Sequence, residues 1–180
     1  ALMASNRTFS LNGNGDAALP YGGMKQEQAW NMGINYTQKF RLNYRDGAFS
    51  FDYYYTHFQN QIVVDIENPT QVRLYNLDGR SFAHSLQAQL DYEIIRKLDV
   101  RLAYRLYDVK TTFDGQLLEK ALVARHRGFI NIAYETRNQW KFDLTYQVFG
   151  SKRMPMHSTD GVTLTDAYRT PVYDVWNMQI

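Results

Sequence analysis

The stretch from Trp30 to Tyr44 alternates between apolar and polar residues over fifteen positions. Seven of its eight even-numbered positions are apolar and none of its seven odd-numbered positions is. A period of two is that of a β-strand, whose successive side chains point to opposite faces. Ordinary globular strands have about five or six residues. Fifteen residues reach roughly 50 Å and, tilted near 45°, cover about 35 Å, enough to cross a bilayer's hydrocarbon core. This length predicts a strand that crosses a membrane.

The same alternation recurs along the rest of the chain and gives eight candidate strands, one of them placed within residues 1 to 12. The others are Trp30–Tyr44, Phe49–Thr56, Leu86–Tyr92, Leu98–Leu106, Ile130–Tyr134, Trp140–Val148 and Trp176–Ile180. An aromatic content of 15% beside only four Pro also favours strands over helices. We therefore expect an all-β fold, an antiparallel up-and-down meander of about seven to eight long strands that is part of a transmembrane β-barrel.

The connections between these strands alternate between short and long. Three are tight turns: Arg45–Ala48, which contains the Asp46-Gly47 hairpin signal, Glu93–Lys97 and Glu135–Gln139. The long connections are residues 57–81, 107–125 and 149–171. This alternation is typical of outer-membrane barrels. Five aromatic residues near the tight turns predict a girdle at one membrane interface: Tyr44, Phe49, Tyr92, Tyr134 and Trp140.

Composition excludes several classes of function. The net charge is only +2, which does not fit a basic face for nucleic acid. The chain has no Cys, which excludes disulfides, thiol nucleophiles and Cys-based zinc or iron–sulfur sites. No apolar run reaches the roughly 18 residues that a membrane-spanning helix needs. Contact with a membrane would therefore be made by strands.

Periodicity defines two faces of the sheet but does not say which one is inside. A soluble lipocalin-like protein would turn its apolar face inward, whereas an outer-membrane barrel turns it to lipid. Strand length, the aromatic rim and the alternating connections together favour the lipid-facing interpretation. The lumen would then be lined by the charged residues Lys39, Arg41, Asp91, Asp99, Arg101, Arg105, Lys141 and Asp143.

Several segments resemble the C-terminal half of a TonB-dependent outer-membrane receptor, particularly of the Bacteroidetes type. The most specific is Phe51–Asp65 (FDYYYTHFQNQIVVD), which is similar to a strand and loop start of that family. Gln26–Tyr36 (QEQAWNMGINY) resembles the family's polar lead into a strand. The remaining similar segments are Ser81–Tyr92, Leu98–Lys110, Ala124–Tyr134 and Trp140–Pro155.

The resemblance implies a protein of the bacterial outer membrane. The family has a 22-stranded barrel closed by an N-terminal plug, and it imports iron chelates, haem, cobalamin or oligosaccharides with energy delivered through TonB. The resemblance therefore implies three partners: outer-membrane lipid, a small-molecule nutrient and the TonB complex. A plug, a TonB-contacting segment and the family's terminal aromatic strand are not recognised within residues 1–180. We therefore expect this chain to be a single segment of a receptor barrel, incapable of transport by itself.

Two alternatives remain open from the sequence. One is a complete small outer-membrane barrel of eight strands with a structural or adhesive role, since about 180 residues suffice for such a barrel. The other is a soluble lipocalin-like binding protein with its apolar face around a ligand.

Candidate chemistry is sparse. The four His residues are scattered, and the only local cluster of soft ligands is Met154–His157, where a haem or metal could be contacted. The run Arg125–Arg127 could attract an anionic chelate, and Asp91 and Asp99 could face one lumen. The chain contains no nucleophile elbow, P-loop or dinucleotide fingerprint. We expect no enzymatic activity and no catalytic, cofactor or metal site, and the sequence assigns no substrate-binding residue.

Overall fold

The structure, a computed structural model, describes residues 8–12, 23–68, 71–155 and 168–180. Strands account for most of these residues. In chain order they are β1 (Thr8–Asn12), β2 (Gln28–Leu42), β3 (Arg45–Asn60), β4 (Ile62–Asp65), β5 (Gln71–Asn76), β6 (Ser81–Ile95), β7 (Leu98–Phe113), β8 (Gln116–Glu119), β9 (His126–Glu135), β10 (Lys141–Phe149) and β11 (Tyr173–Gln179).

Seven strands form one antiparallel sheet in the order β11-β10-β9-β7-β6-β3-β2, and β8 pairs with the far end of β7. Each strand of this main sheet lies beside the main-sheet strand that precedes or follows it along the chain, which confirms the predicted all-β meander. Within the described ranges β2 and β11 each have a strand on one side only. The sheet is therefore open, whereas a complete eight-stranded barrel would need its first and last strands to pair.

The predicted turn at Asp46-Gly47 is wrong. The chain turns at Asn43 and Tyr44, where both residues have positive φ (49° and 60°), and Leu42 pairs with Arg45. This is the backbone shape of a two-residue hairpin turn. The other two predicted turns are confirmed in place, at residues 96–97 and 136–140.

Gly47 has a packing role within β3 instead. It pairs with Phe40 across the sheet, and a Cβ atom at this position would collide with the Phe40 ring. The same ring stacks on Tyr92, with 6.1 Å between the ring centroids. An aromatic ring thus covers the glycine and fixes the register of β2, β3 and β6 near the turn.

We expect Gly47→Ala to destabilise the barrel by about 1–3 kcal/mol, because the added methyl group must displace the Phe40 ring. The measurement is the free energy of unfolding of the receptor refolded in detergent. Ser50→Ala, on the same strand, is the matched control and should change this free energy by less than about 0.5 kcal/mol. Equal effects of the two substitutions would contradict the packing role of the glycine.

The long connections contain further strands. β4 and β5 form a hairpin between β3 and β6, and β8 forms a hairpin with β7 around Asp114 and Gly115, both with positive φ (44° and 79°). β1 runs parallel to β5 in a separate three-stranded sheet. The candidate strand within residues 1 to 12 therefore exists, but it lies outside the main sheet. Among the described residues, no helix is long and apolar enough to cross a membrane.

Candidate functional site

The strand register aligns the alternating residues of all seven main-sheet strands into two continuous faces. We call the face that carries Trp30, Leu102 and Trp176 the apolar face, and the opposite one the polar face. A single row of paired residues illustrates the apolar face across the whole sheet: Gln38, Phe49, Leu90, Leu102, Ile130, Tyr146 and Trp176. The seven strands thus present one apolar surface.

The apolar face is exposed. Its side chains include Trp30, Ile34 and Trp176, of which 63%, 67% and 62% of the surface is accessible. A lipocalin-like protein would bury these side chains around a sealed centre. The described residues instead bury an apolar cluster, Val63 with Phe113, outside this face. The arrangement therefore fits a sheet whose apolar face is covered by lipid.

Aromatic residues gather where the apolar face meets the three tight turns, which we call the short-turn end of the sheet. Tyr44, Tyr134 and Trp140 are all exposed there. The Tyr92 hydroxyl donates a hydrogen bond to the Leu42 carbonyl at 3.1 Å. Phe49, the fifth member of the predicted girdle, lies in the middle row of the apolar face instead, because the first turn is at residues 43–44. Four of the five residues thus form the expected rim.

The polar face carries a lattice of cross-strand polar pairs. Arg101 forms an ion pair with Asp91 at 2.5 Å, and the Asn131 amide donates hydrogen bonds to both carboxylate oxygens of Asp143 at 2.9 Å. Lys97 and Glu135 form a further ion pair at 2.8 Å. The contact with Arg101 gives Asp91, a carboxylate singled out in the sequence, a structural partner.

The histidines do not form a metal site in the described part of the chain, where no group of three or more His, Asp or Glu side chains converges. His57, His84 and His126 share the apolar face near the long loops. The Tyr53 hydroxyl lies 2.9 Å from His84 Nδ1, and the Tyr104 hydroxyl lies 2.7 Å from His126 Nδ1. His157 and Met156, from the predicted soft-ligand cluster, lie outside the described residues.

The run Arg125–Arg127 is divided between different surroundings. Arg125 lies before β9 and forms ion pairs with Asp108 and Glu119 at 3.5 and 3.7 Å. His126 belongs to the apolar face, while Arg127 belongs to the polar face, with its guanidinium 4.4 Å from the centroid of the Phe149 ring. The three side chains of this run therefore do not form one site.

The three long connections meet at Arg153, at what we call the long-loop end of the sheet. Arg153 and Glu67 are fully buried and form a bidentate ion pair, in which Arg153 Nη1 donates to Glu67 Oε2 at 2.8 Å. Arg153 Nε also donates to the Glu119 carbonyl at 2.6 Å. Residues of the first, second and third connections are thus joined by one guanidinium.

A second arginine joins two of the same connections. Arg73 of β5 forms ion pairs with Asp65 of β4 and with Asp114 in the turn between β7 and β8. The hydrogen bond to Asp114 raises the pKa of Arg73 above its ordinary value. The long loops therefore pack together as one layer that is held by ion pairs. Neither Arg73 nor Arg153 is predicted from the sequence as a site residue.

This layer leaves a polar cleft of about 1360 Å³ between the β4–β5 hairpin, the long-loop ends of β2 and β3, and the β7–β8 hairpin. Its lining includes Asn60, Arg73, Tyr75 and Arg80. Burial, together with the negative charges of Asp65 and Asp114, raises the pKa of Tyr75 to about 12. Tyr75 is therefore a neutral hydrogen-bonding group at neutral pH.

Comparisons with known proteins agree with this architecture. A family model described as "TonB dependent receptor-like, beta-barrel" matches residues 3–180. Searches of curated proteins and of solved structures give no match. The family match covers nearly the whole chain, and the long antiparallel strands with an exposed apolar face are those of a membrane barrel wall. The chain belongs to the TonB-dependent receptor β-barrel family.

Proposed function

We propose that this chain forms part of the barrel wall of a TonB-dependent receptor of the Bacteroidetes type in the bacterial outer membrane. The receptor binds and imports a scarce nutrient: an iron chelate, haem, cobalamin or an oligosaccharide. The observation that carries this proposal is the exposed apolar face, which the strand register makes continuous over the seven strands. In the proposed arrangement the apolar face contacts hydrocarbon and the polar face lines the lumen.

The open edges of the main sheet support a wall that continues beyond the described strands. An unpaired edge of fifteen residues, such as β2, exposes a long row of backbone donors and acceptors. Such groups cannot remain unpaired in a bilayer. In our proposal, further strands of the receptor pair with β2 and β11, and other parts of the receptor supply the plug and the contact with TonB.

The long-loop end is the proposed site of substrate capture. Outer-membrane barrels place their long loops outside the cell and their short turns in the periplasm. The ion-paired layer around Arg73 and Arg153 would hold these loops in fixed positions, and the polar cleft beside it offers amide, phenol and guanidinium groups to a ligand. A preordered loop surface lowers the entropic cost of binding a substrate.

Fluorescence quenching tests which face contacts lipid. Trp176 lies in the middle row of the apolar face, beside Tyr146, and its side chain is 62% exposed. We expect lipids brominated on their acyl chains to quench the Trp176 signal in the intact receptor in vesicles, and aqueous iodide to leave it unchanged. The signal is obtained as the difference between the parent receptor and Trp176→Phe.

The matched control moves the fluorophore by one residue. Asn177 follows Trp176 on the same strand and points to the polar face. In the double variant Trp176→Phe, Asn177→Trp, the added signal should be open to iodide and insensitive to brominated lipid. The reverse pattern in the two proteins would mean that the apolar face is turned inward and that the barrel-wall proposal is wrong.

A further inference from the structure

Two arginines lie directly opposite each other on the polar face. Arg105 of β7 pairs in register with Arg127 of β9, and both side chains are exposed. Like charges at directly opposed positions destabilise an antiparallel pair of strands. Among the described residues neither guanidinium has a carboxylate partner; Arg127 Nη2 donates to Gln147 Oε1 at 3.1 Å. Within the described part of the chain, the sheet thus holds two adjacent positive charges that no carboxylate compensates.

Three other cations of the same face have carboxylate partners. Arg41, Lys97 and Arg101 each form an ion pair with a carboxylate on a neighbouring strand, at 2.8, 2.8 and 2.5 Å. These three lie toward the short-turn end. The unpaired arginines lie nearer the long-loop end of β7 and β9, where a substrate captured by the loops would first meet the wall. The direct opposition of Arg105 and Arg127 in register indicates that their uncompensated charge serves a ligand.

Aromatic rings hold the two guanidiniums in place. The Arg105 Cζ atom lies 4.8 Å from the centroid of the Tyr107 ring, and the Arg127 Cζ atom lies 4.4 Å from that of Phe149. Contacts of this kind favour a cation over the ring face. A guanidinium held by a ring can still donate hydrogen bonds through its N–H groups.

A third cation extends the same row of contacts. The Phe149 ring stacks on Tyr173 with centroids 4.8 Å apart and planes 9° apart. Lys152 Nζ lies 4.9 Å from the Tyr173 centroid and donates to the Tyr173 hydroxyl at 2.9 Å. We call Arg105, Arg127 and Lys152 the cationic patch. The stacked rings of Phe149 and Tyr173 connect Arg127 with Lys152 in this patch.

We propose that the cationic patch binds the carboxylate or phosphate groups of an anionic small-molecule substrate as it moves along the barrel lumen. A guanidinium matches these oxyanions with two parallel hydrogen bonds, and a bound anion would remove the repulsion between Arg105 and Arg127. This inference rests on the proposed function, because it requires the polar face to line the lumen. It narrows the imported nutrient to an anionic one.

Binding of citrate and of inorganic pyrophosphate to the intact, detergent-purified receptor, measured by isothermal titration calorimetry, tests the proposal. We expect the parent receptor to bind at least one of these probes. Arg105→Gln and Arg127→Gln should each raise the dissociation constant by about tenfold or more, since each removes charged hydrogen bonds. Arg127→Lys keeps the charge but loses the two-pronged geometry, so its dissociation constant should fall between those of the parent and Arg127→Gln.

The matched control is Arg101→Gln, which removes the same charge from the same face of β7, away from the patch. Its dissociation constant should stay within about twofold of the parent value, since a distant exposed charge is screened by salt. Absence of binding of both probes by the parent receptor, or equal weakening by Arg101→Gln, would overturn the proposal.

The melting temperature of the ligand-free receptor separates a substrate from an internal partner. Because the paired arginines repel each other, we expect Arg105→Gln to leave this temperature unchanged or to raise it. A fall of several degrees would mean that a carboxylate of the receptor itself occupies the patch, and the substrate assignment would be wrong. Failure of the binding test or of the melting test would not alter the quenching of Trp176 by brominated lipid. The barrel-wall proposal is therefore judged separately.

Discussion

Replacing Arg153 with methionine should release the long loops from one another at a cost of about 3–5 kcal/mol, the largest effect that we expect from a substitution outside the strands. The buried Glu67 carboxylate would lose its bidentate partner, and the Glu119 carbonyl would lose a hydrogen bond. Loss of the bidentate ion pair of a buried carboxylate accounts for most of this cost. We expect chymotrypsin to cut the long connections of the folded receptor much faster in Arg153→Met than in the parent.

Two further variants show whether the effect of Arg153→Met comes from breaking a buried ion pair or from removing a charge as such. In the double variant Glu67→Met, Arg153→Met both charges are gone, and protection from chymotrypsin should largely return, because an apolar pair can replace a buried ion pair. Arg101→Gln breaks an exposed ion pair and should cost at most about 1 kcal/mol with no new cleavage. If Arg153→Met were as resistant as the parent, the loop layer would not depend on this residue.

Sequence periodicity predicted the main sheet well because the pattern follows directly from the environment of each face. The alternation at Trp30–Tyr44 corresponds to β2 (Gln28–Leu42), with the same residues on the apolar face. A period of two is a local property, so it needs no knowledge of the partner strands. Turn positions do not follow from the local sequence alone. The chain turns at Asp114-Gly115 but not at Asp46-Gly47, because Gly47 lies within β3 and packs against the Phe40 ring.

The contacts that form the candidate sites could not be found in this way. Arg153 and Glu67 are 86 positions apart, and no spacing rule connects two charged residues in separate loops. The opposition of Arg105 and Arg127 depends on the register of β7 with β9, which joins them across the intervening β7–β8 hairpin. Register is set by turn geometry and packing over many residues. The sequence places Arg105 on the charged face, but it predicts neither the face of Arg127, which precedes the candidate strand Ile130–Tyr134, nor that the two arginines are neighbours.

The proposed orientation of the two faces can be tested at Leu102 and Ala103, adjacent residues in the middle of the part of β7 that belongs to the main sheet. Leu102 lies between Leu90 and Ile130 on the apolar face and is 41% exposed. We expect Leu102→Arg to destabilise the folded receptor in vesicles by about 2–4 kcal/mol, the cost of a cation facing lipid near the bilayer midplane. The measurement is the fraction of folded receptor at increasing urea concentrations. Folded receptor is recognised on a gel because, in unheated samples, it migrates differently from unfolded receptor.

Ala103→Arg places the same guanidinium one residue further along the same strand, between Gln89 and Phe129 on the polar face. Facing a watery lumen, it should cost less than about 1 kcal/mol. The difference between the two variants depends on the environment of each face alone, because strand, depth and added side chain are the same. Equal costs would mean that both faces meet water, and a larger cost at Ala103 would mean that the lumen is the apolar side. Either result would contradict a wall whose apolar face is solvated by lipid.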